Sequence, residues 1–284
     1  MHLQKGRSAH ARIVVAGFWA ALAVLLPSPA RATWSIVAVD PRTGDVGFAG
    51  ATCGVGIQFV PALSPRHGAV ASQAATSFAG RDHASTWISE GLTPDRIVER
   101  LKDPKSYSGF FGGDVSVMQY GVVSFSGPAA TYSGAEIPAP ANAETGVNYS
   151  VQGNTLRSPA VVTKAAAAFR IERVGSCQLE LSDRLLAALE AGRDAGGDSR
   201  CPEGAPAQSA ALIVMRPGDT PTRMAIDIVK PRKFSFVEGA WYSIFPYHPS
   251  PGEDPIRSLR NEYDREKRGA ACRFDLNQRN APKH

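Results

Sequence analysis

The order of secondary-structure signals along the chain is the feature that most constrains its fold. Strand signals come in three groups, separated by two pairs of helix signals. The predicted strands are residues 33–40, 46–52, 68–75, 115–124, 129–132, 149–152, 210–215 and 224–229. The predicted helices are residues 84–90, 94–101, 159–169 and 182–191, with a short one at 254–265. Hairpin-like strands with segregated helices indicate an α+β protein and not a doubly wound parallel sheet.

The first 32 residues have the three parts of a secretory signal peptide. Three basic residues form a positive start, residues 13–26 are apolar, and Ala30 and Ala32 occupy the −3 and −1 positions of a cleavage site. The apolar stretch is too short to cross a bilayer comfortably. We therefore expect cleavage after Ala32, a periplasmic or extracellular location and no stable membrane anchor. An uncleaved anchor is the alternative interpretation.

The charge of the chain argues against a nucleic-acid partner. The formal net charge is +5, from 31 Lys and Arg against 26 Asp and Glu. Four of the basic residues and none of the acidic ones lie in the leader, so residues 33–284 carry 27 basic against 26 acidic groups. Binding to a phosphate backbone requires a basic surface, and the mature protein is close to neutral.

Four cysteines, at positions 53, 177, 201 and 272, fit an oxidising compartment. No two of them form a C-x-x-C pair, which argues against a zinc ribbon or a thioredoxin-like site. The preferred pairing joins Cys177 to Cys201, because these two flank one predicted helix, and leaves Cys53 and Cys272 paired or free. The histidines have no ligand spacing, and neither a metal nor an organic cofactor is expected.

Familiar catalytic motifs are absent, which directs attention to the first mature residue. The chain has no G-x-S-x-G elbow, no S-x-x-K, no H-E-x-x-H and no P-loop. Cleavage after Ala32 gives Thr33 a hydroxyl and an α-amine, whose ordinary pKa is about 7.7–8.0. Such an amine can act as the base for its own hydroxyl, whereas any preceding residue acylates the amine and removes the base. The plainer interpretation is a threonine that simply begins a buried strand.

The start of the mature chain resembles a known family. Thr33-Trp-Ser-Ile-Val-Ala-Val-Asp40, followed by Thr43-Gly-Asp-Val-Gly47, is similar to the opening of the DUF1028 family of unknown function. The resemblance continues through residues 68–74, 119–123, 149–154, 208–212 and 254–259, and the block Val151-Gln-Gly-Asn154 is its most specific part. It implies the N-terminal-nucleophile (Ntn) hydrolase superfamily, a four-layer αββα sandwich and Thr33 as the nucleophile.

The resemblance also implies residues around that nucleophile. Asn154 and Gln73 are candidate donors to the oxyanion, because both are uncharged amides beside small residues at predicted strand ends. Asp198 and Gln208, in a polar loop before a strand, are weaker candidates for substrate binding. Asp40 is a further candidate that could orient the amine, although shaping a turn is its more ordinary role. Each amide could instead satisfy loop backbone groups.

The leading functional hypothesis is a secreted or periplasmic amidohydrolase that cleaves a small amide or peptide-like bond. Where the family usually has Thr-Gln and Arg-Gln, this chain has Ser72-Gln73 and Met118-Gln119, and by the same resemblance residues 201–207 look inserted just ahead of Gln208. These departures support an alternative, a non-catalytic secreted protein that binds a ligand on the same scaffold.

The expected organisation is a signal peptide (1–32), an Ntn-hydrolase-like domain (33–230) and a C-terminal extension (231–284). The extension is expected to pack on the domain and to fray at its end. Both a monomer and a homodimer are compatible with the sequence.

Overall fold

A computed structural model describes residues 33–54, 56–103, 114–220, 242–244 and 254–267. Within them the chain is a mixed α+β protein with several sheets and five α-helices, which confirms the predicted α+β class. The predicted signal peptide, the predicted strand at 224–229, Cys272 and the predicted frayed end lie outside the described residues.

The strands form two large antiparallel sheets and one small hairpin. The first sheet has the order β12-β11-β2-β1-β8-β7, the second the order β3-β4-β5-β6, and β9 pairs with β10. The strand bounds are β1 Thr33–Asp40, β2 Asp45–Thr52, β3 Pro61–Ser64, β4 Gly68–Ala74, β5 Met118–Ser124, β6 Gly127–Ser133, β7 Asn142–Thr145, β8 Tyr149–Asn154, β9 Arg173–Val174, β10 Cys177–Gln178, β11 Ser209–Met215 and β12 Tyr242–Ile244. The short strands β3, β7, β9, β10 and β12 were not predicted from the sequence, since so few residues carry a weak periodic signal.

Five α-helices occur in the described residues: α1 Phe78–Ser89, α2 Pro94–Leu101, α3 Ala160–Phe169, α4 Leu181–Asp194 and α5 Pro255–Glu266. Helix α1 begins six residues before its predicted start, because the Ser77 hydroxyl accepts a hydrogen bond from the Gly80 amide at 3.0 Å and caps it there. None of the helices in the described part of the chain has the length and apolar character that a bilayer span requires.

Strand β1 divides its side chains between two environments, as the period of two in a strand requires. Trp34, Ile36 and Ala38 pack in one cluster with residues of α3 and α4. Val37 and Val39 point the other way and pack against residues of β4 and β5 in the second sheet. Helices α1 and α2 contribute to a third cluster, on the remaining face of that second sheet.

The C-terminal helix α5 packs against β11 and α4. The Tyr263 hydroxyl donates to the Asp183 carboxylate at 2.7 Å, and Arg260 forms an ion pair with Glu190 at 2.7 Å. Asp254 caps the start of α5 by accepting from the Ile256 and Arg257 amides.

Candidate active site

One end of the space between the two large sheets is filled by polar side chains. All of them are at most 3% exposed. We call this set the polar layer: Thr33, Ser35, Thr52, Gln73, Gln119, Gln152 and Asn154. Buried polar groups are stable only when they are hydrogen-bonded, so each bond in this layer matters to the fold as well as to any chemistry.

Thr33 lies at the start of β1, between the ends of the two neighbouring strands. It is opposite Thr52 on β2 and opposite Asn154 on β8. Residues directly opposite in an antiparallel sheet place their side chains on the same face, so these three side chains are neighbours. The Thr33 hydroxyl donates a hydrogen bond to the Thr52 hydroxyl at 3.2 Å.

Two amide side chains of the polar layer, Gln73 and Asn154, converge on a third, Gln119. Gln73 Nε2 donates to Gln119 Oε1 at 2.8 Å and to the backbone oxygen of Thr33 at 3.2 Å. Asn154 Nδ2 donates to the same Gln119 oxygen at 3.2 Å. Gln119 in turn donates to the backbone oxygen of Gly153 at 3.1 Å. The structure therefore brings Gln73 and Asn154 to Thr33, through a third amide that the sequence analysis did not single out as a site residue.

A second chain of bonds extends the polar layer away from Thr33. The Ser35 hydroxyl donates to Gln73 Oε1 at 2.6 Å and accepts from Gln152 Nε2 at 2.7 Å. Ser150 donates to Gln152 Oε1 at 2.7 Å. Gln152 fits between the sheets only because position 121 is a glycine: a Cβ there would collide with Gln152 Oε1 and lie 2.5 Å from its Cδ.

The chain turns sharply after both candidate oxyanion donors. Ala74 follows Gln73 with φ 64°, and Thr155 follows Asn154 with φ 49°. A left-handed backbone costs a residue with a Cβ about 1–2 kcal/mol, and it is rarest for β-branched residues such as threonine. Strain of this kind persists where the surroundings enforce it, and it concentrates at functional sites.

A loop of residues 198–201 lies beside the same end of β1. Asp198, fully buried, accepts from the Cys53 amide at 2.6 Å and from the Arg200 guanidinium at 2.9 Å. Arg200 Nη2 also lies 3.5 Å from the Thr52 hydroxyl oxygen. Asp198 is thus close to the predicted nucleophile but buried behind Arg200, so it reaches Thr33 only through other residues.

The predicted pairing of Cys177 with Cys201 is wrong: Cys201 is bonded to Cys53, with 5.3 Å between their Cα atoms. Cys177 and Cys201 lie beyond opposite ends of α4, whose 14 residues span about 20 Å. A disulfide requires Cα atoms within about 7 Å, so a helix of this length holds its flanking cysteines too far apart. Cys177 is disulfide-bonded as well.

Asp198 and the two cysteines place their ligand atoms within 4.8 Å of one another. The sulfurs are bonded to each other and Arg200 pairs with the carboxylate, so this cluster does not present the free thiolates that a metal site of this type uses.

Two other predicted site residues, Asp40 and Gln208, have no side-chain contact with Thr33 among the described hydrogen bonds. Asp40 is at the opposite end of β1 from Thr33, about 23 Å away at the rise of a strand. It accepts from the amide of Arg42 at 3.0 Å and from its guanidinium at 3.1 Å, so it shapes the turn that follows. Gln208 is near the site, and its backbone amide donates to the Thr52 carbonyl at 2.9 Å.

Sequence reasoning missed Gln119, Thr52 and Arg200. A glutamine inside an otherwise apolar strand, as in Met118–Ser124, is the signal that could have identified the first, because such an amide must find buried partners. Thr52 and Arg200 carried no local signal, since their closeness to Thr33 depends on strand order and on the path of the loop.

Two cavities lie away from Thr33. One of about 450 Å³ is lined by residues of α2, including Arg96 and Glu99. Another, of about 330 Å³, is lined by Arg157, Arg193 and Asp254 among others. None of the predicted site residues lines either cavity.

Comparison with known proteins identifies relatives of the chain. The model of the family described as "Family of unknown function (DUF1028)" matches residues 33–232. The crystal structure of protein SPO2555 from Silicibacter pomeroyi, described with the family model DUF1028, is similar with a TM-score of 0.60 and 26% sequence identity. That similarity covers 84% of this chain and 91% of the other chain. No curated protein matches the chain.

Proposed function

The chain belongs to the DUF1028 family, and we propose that its exported form is an Ntn amidohydrolase whose nucleophile is the Thr33 hydroxyl. In this proposal the two large sheets, with α1 and α2 on one side and α3 and α4 on the other, form the four-layer αββα sandwich of the Ntn hydrolases. The family name assigns no activity, so the case rests on the chemistry of the residues around Thr33.

The observation that carries the proposal is the placement of Thr33. Thr33 is the first residue of a buried strand. Its hydroxyl donates to another hydroxyl, Thr52 Oγ1, beside a layer of neutral amides. A dry site with oriented amide donors is the kind of environment that stabilises a developing oxyanion. The match to the family model begins at residue 33, the residue that cleavage after Ala32 would make N-terminal.

The proposed reaction uses the two functional groups of Thr33 together. Thr33 Oγ attacks the carbonyl of a small amide or peptide-like substrate, and the free α-amine takes the hydroxyl proton and passes it to the leaving amine. Asn154 and Gln73 are the proposed oxyanion donors. Gln73 Nε2 already donates to Gln119 and to the Thr33 carbonyl, so it would have to exchange one of these bonds for a bond to the oxyanion. Asn154 Nδ2 donates one bond to Gln119 and carries a second N–H that could donate to the oxyanion. Water then hydrolyses the acyl-enzyme.

Export from the native host tests the first requirement of the proposal. Intact mass and N-terminal sequencing of the secreted or periplasmic protein should give a start at Thr33 with a free amine. Any other start, or a blocked amine, removes the base and ends the Ntn interpretation.

Covalent labelling tests the nucleophile itself. A β-lactone should acylate Thr33 of the processed protein, and Thr33→Ala should abolish the adduct while Thr33→Ser retains part of it, because serine keeps a hydroxyl. Thr43→Ala is the matched control: this exposed turn threonine lies beyond the far end of β1, and its variant should label like the wild type. Labelling of Thr33→Ala at the wild-type rate would refute the mechanism.

One observation favours a non-catalytic ligand-binding protein as the second candidate. Gln73 Nε2 already donates to two protein oxygens, so its hydrogen-bonding capacity is satisfied without a substrate. This candidate predicts a processed protein that binds small amides in titration calorimetry but forms no adduct at Thr33.

A further inference from the structure

The loop of residues 198–201 is held to both strands that flank β1. Towards β2, Cys201 is bonded to Cys53, and Asp198 accepts from the Cys53 amide at 2.6 Å. Towards β8, the Ser199 hydroxyl and amide both donate to the Thr155 carbonyl, at 2.7 and 3.0 Å. The loop therefore has a fixed position beside the end of β1 at which Thr33 lies.

Within this loop Asp198 fixes the direction of Arg200. Its two carboxylate oxygens accept from Nε at 3.2 Å and from Nη2 at 2.9 Å, a two-point contact that fixes the plane of the guanidinium. Asp198 also accepts from the Arg200 backbone amide at 2.9 Å. Both carboxylate oxygens of Asp198 are engaged, by Arg200 and by the Cys53 amide, so the role of this residue is to orient Arg200.

Arg200 brings a positive charge close to the proposed nucleophile. Its side chain is 25% exposed, and Nη2 lies 3.5 Å from the Thr52 oxygen that accepts from Thr33 at 3.2 Å. Arg200 Nη2 and Thr33 Oγ1 are therefore about 7 Å apart or less. The polar layer around Thr33 consists of neutral amides and hydroxyls, so within the described part of the chain this guanidinium is a charge that a molecule bound at Thr33 could meet.

We propose that Arg200 determines substrate specificity by binding a carboxylate of the substrate. This inference rests on the proposed function and narrows its substrate class to amides that carry a carboxylate within a few bonds of the scissile carbonyl. Arginine suits this role because its planar guanidinium matches a carboxylate, and because Asp198 has already fixed its orientation. The disulfide and the Ser199 bonds keep the loop, and with it the charge, at a constant distance from Thr33.

Two matched probes test the inference on the processed protein. One is a β-lactone with a carboxylate two or three bonds from its carbonyl carbon, and the other carries a carboxamide at the same position. In either case Thr33 Oγ forms a bond to the lactone carbonyl, the ring C–O bond breaks, and the hydroxyl proton passes through the amine to the ring oxygen. The adduct has the full mass of the probe, and intact-mass spectrometry over time gives the acylation rate constant.

We expect the wild type to react with the carboxylate probe about tenfold faster or more, the effect of one charge-assisted hydrogen bond. Arg200→Gln should abolish this preference, and Arg200→Lys should retain part of it. A structural defect would slow both probes equally and leave their ratio unchanged. Since Arg200→Gln leaves a buried carboxylate without its partner, the double variant Asp198→Asn with Arg200→Gln provides the same test in a neutral loop.

Arg157→Gln is the control for a general effect of charge. Arg157 is exposed and donates to the Cys201 carbonyl at 3.2 Å, so its variant removes a positive charge beside the same loop. The probe ratio should change little in this variant. An equal loss in Arg157→Gln and Arg200→Gln would overturn a specific contact in favour of a diffuse field.

The remaining outcomes separate the two proposals. Labelling of Thr33 by both probes at equal rates overturns the role of Arg200 and leaves the Ntn proposal intact. A preference for the carboxylate probe that survives in both Arg200→Gln and the double variant likewise overturns the role of Arg200 and leaves the Ntn proposal intact. No labelling of Thr33 by either probe refutes the Ntn proposal, and the inference about Arg200 falls with it.

Discussion

Replacing Gly121 with alanine measures how tightly the two large sheets are packed at the polar layer. A Cβ at this position would collide with Gln152 Oε1. The same Cβ would lie 2.5 Å from Gln152 Cδ and 2.8 Å from the Ser150 hydroxyl oxygen. Either the sheets separate or Gln152 moves. Overpacking of a well-packed interior costs about 1–3 kcal/mol.

Movement of Gln152 adds a second cost. Its side chain accepts from Ser150 at 2.7 Å and donates to Ser35 at 2.7 Å, and all three residues are fully buried. Leaving buried polar groups unsatisfied costs about 1–3 kcal/mol each. We therefore expect Gly121→Ala to lower the free energy of unfolding by about 3 kcal/mol or more, which corresponds to a fall in Tm of about 6–12 °C for a domain of this size.

Urea denaturation of the processed protein with its disulfides intact gives the free energy of unfolding. Gly127→Ala on the adjacent strand β6 is the matched control, because its nearest neighbour, Thr93 Cγ2, is at an ordinary contact distance of 3.5 Å. The double variant Gly121→Ala with Gln152→Ala should lose less than the sum of the single losses, since the second change removes the colliding atoms. The packing argument would be refuted if Gly121→Ala were as stable as Gly127→Ala. It would also be refuted if the double variant lost as much stability as the two single variants together.

Two further predictions concern contacts distant in sequence. Replacing Cys53 and Cys201 together by serine should lower the free energy of unfolding by up to about 5 kcal/mol, because the bond joins residues 148 apart and constrains the unfolded chain; thermal unfolding measures this, and a non-reduced peptide map that links Cys201 to Cys177 would contradict the pairing. Tyr263→Phe should cost about 1–3 kcal/mol at pH 7, because Asp183 loses a buried donor. Burial raises the pKa of Asp183 and the bond from Tyr263 opposes that rise, so the variant's Asp183 pKa lies higher still. A carboxyl whose pKa is higher in the folded state than in the unfolded state contributes stability at low pH, and this contribution is lost as the pH rises through the folded-state pKa. The loss of stability caused by Tyr263→Phe should therefore be largest at neutral pH and shrink towards pH 4. Urea denaturation at both pH values checks this, and a deficit that grows on acidification would show that the carboxylate is not its source.

Local signals made several elements predictable. The β-forming residues of β1, the turn that follows them, and the Thr93-Pro94 start of α2 gave element bounds that agree with the structure, because strand propensity and helix entry depend on neighbouring residues. The α+β class followed from the order of these elements. The start of α1 was predicted too late because the Ser77 cap, which sets it, was not recognised.

The candidate site was only partly accessible from the sequence. Thr33 was chosen for the chemistry of a free N-terminal threonine, and Asn154 and Gln73 mainly from a family resemblance. The structure brings these three residues together, whereas Asp40, on the same strand as Thr33, lies at its far end. Whether they catalyse a reaction stays a prediction that the labelling experiments address.

The sequence by itself determined what depends on short range, namely which of the longer segments become strands or helices. The tertiary structure alone decided that Gln119 joins Gln73 to Asn154, that Arg200 lies beside Thr52, and that Cys201 pairs with Cys53. These contacts join strands and loops far apart in the chain, so they exist only once sheet order and register are fixed. Their residue types were visible in the sequence, but their closeness was not.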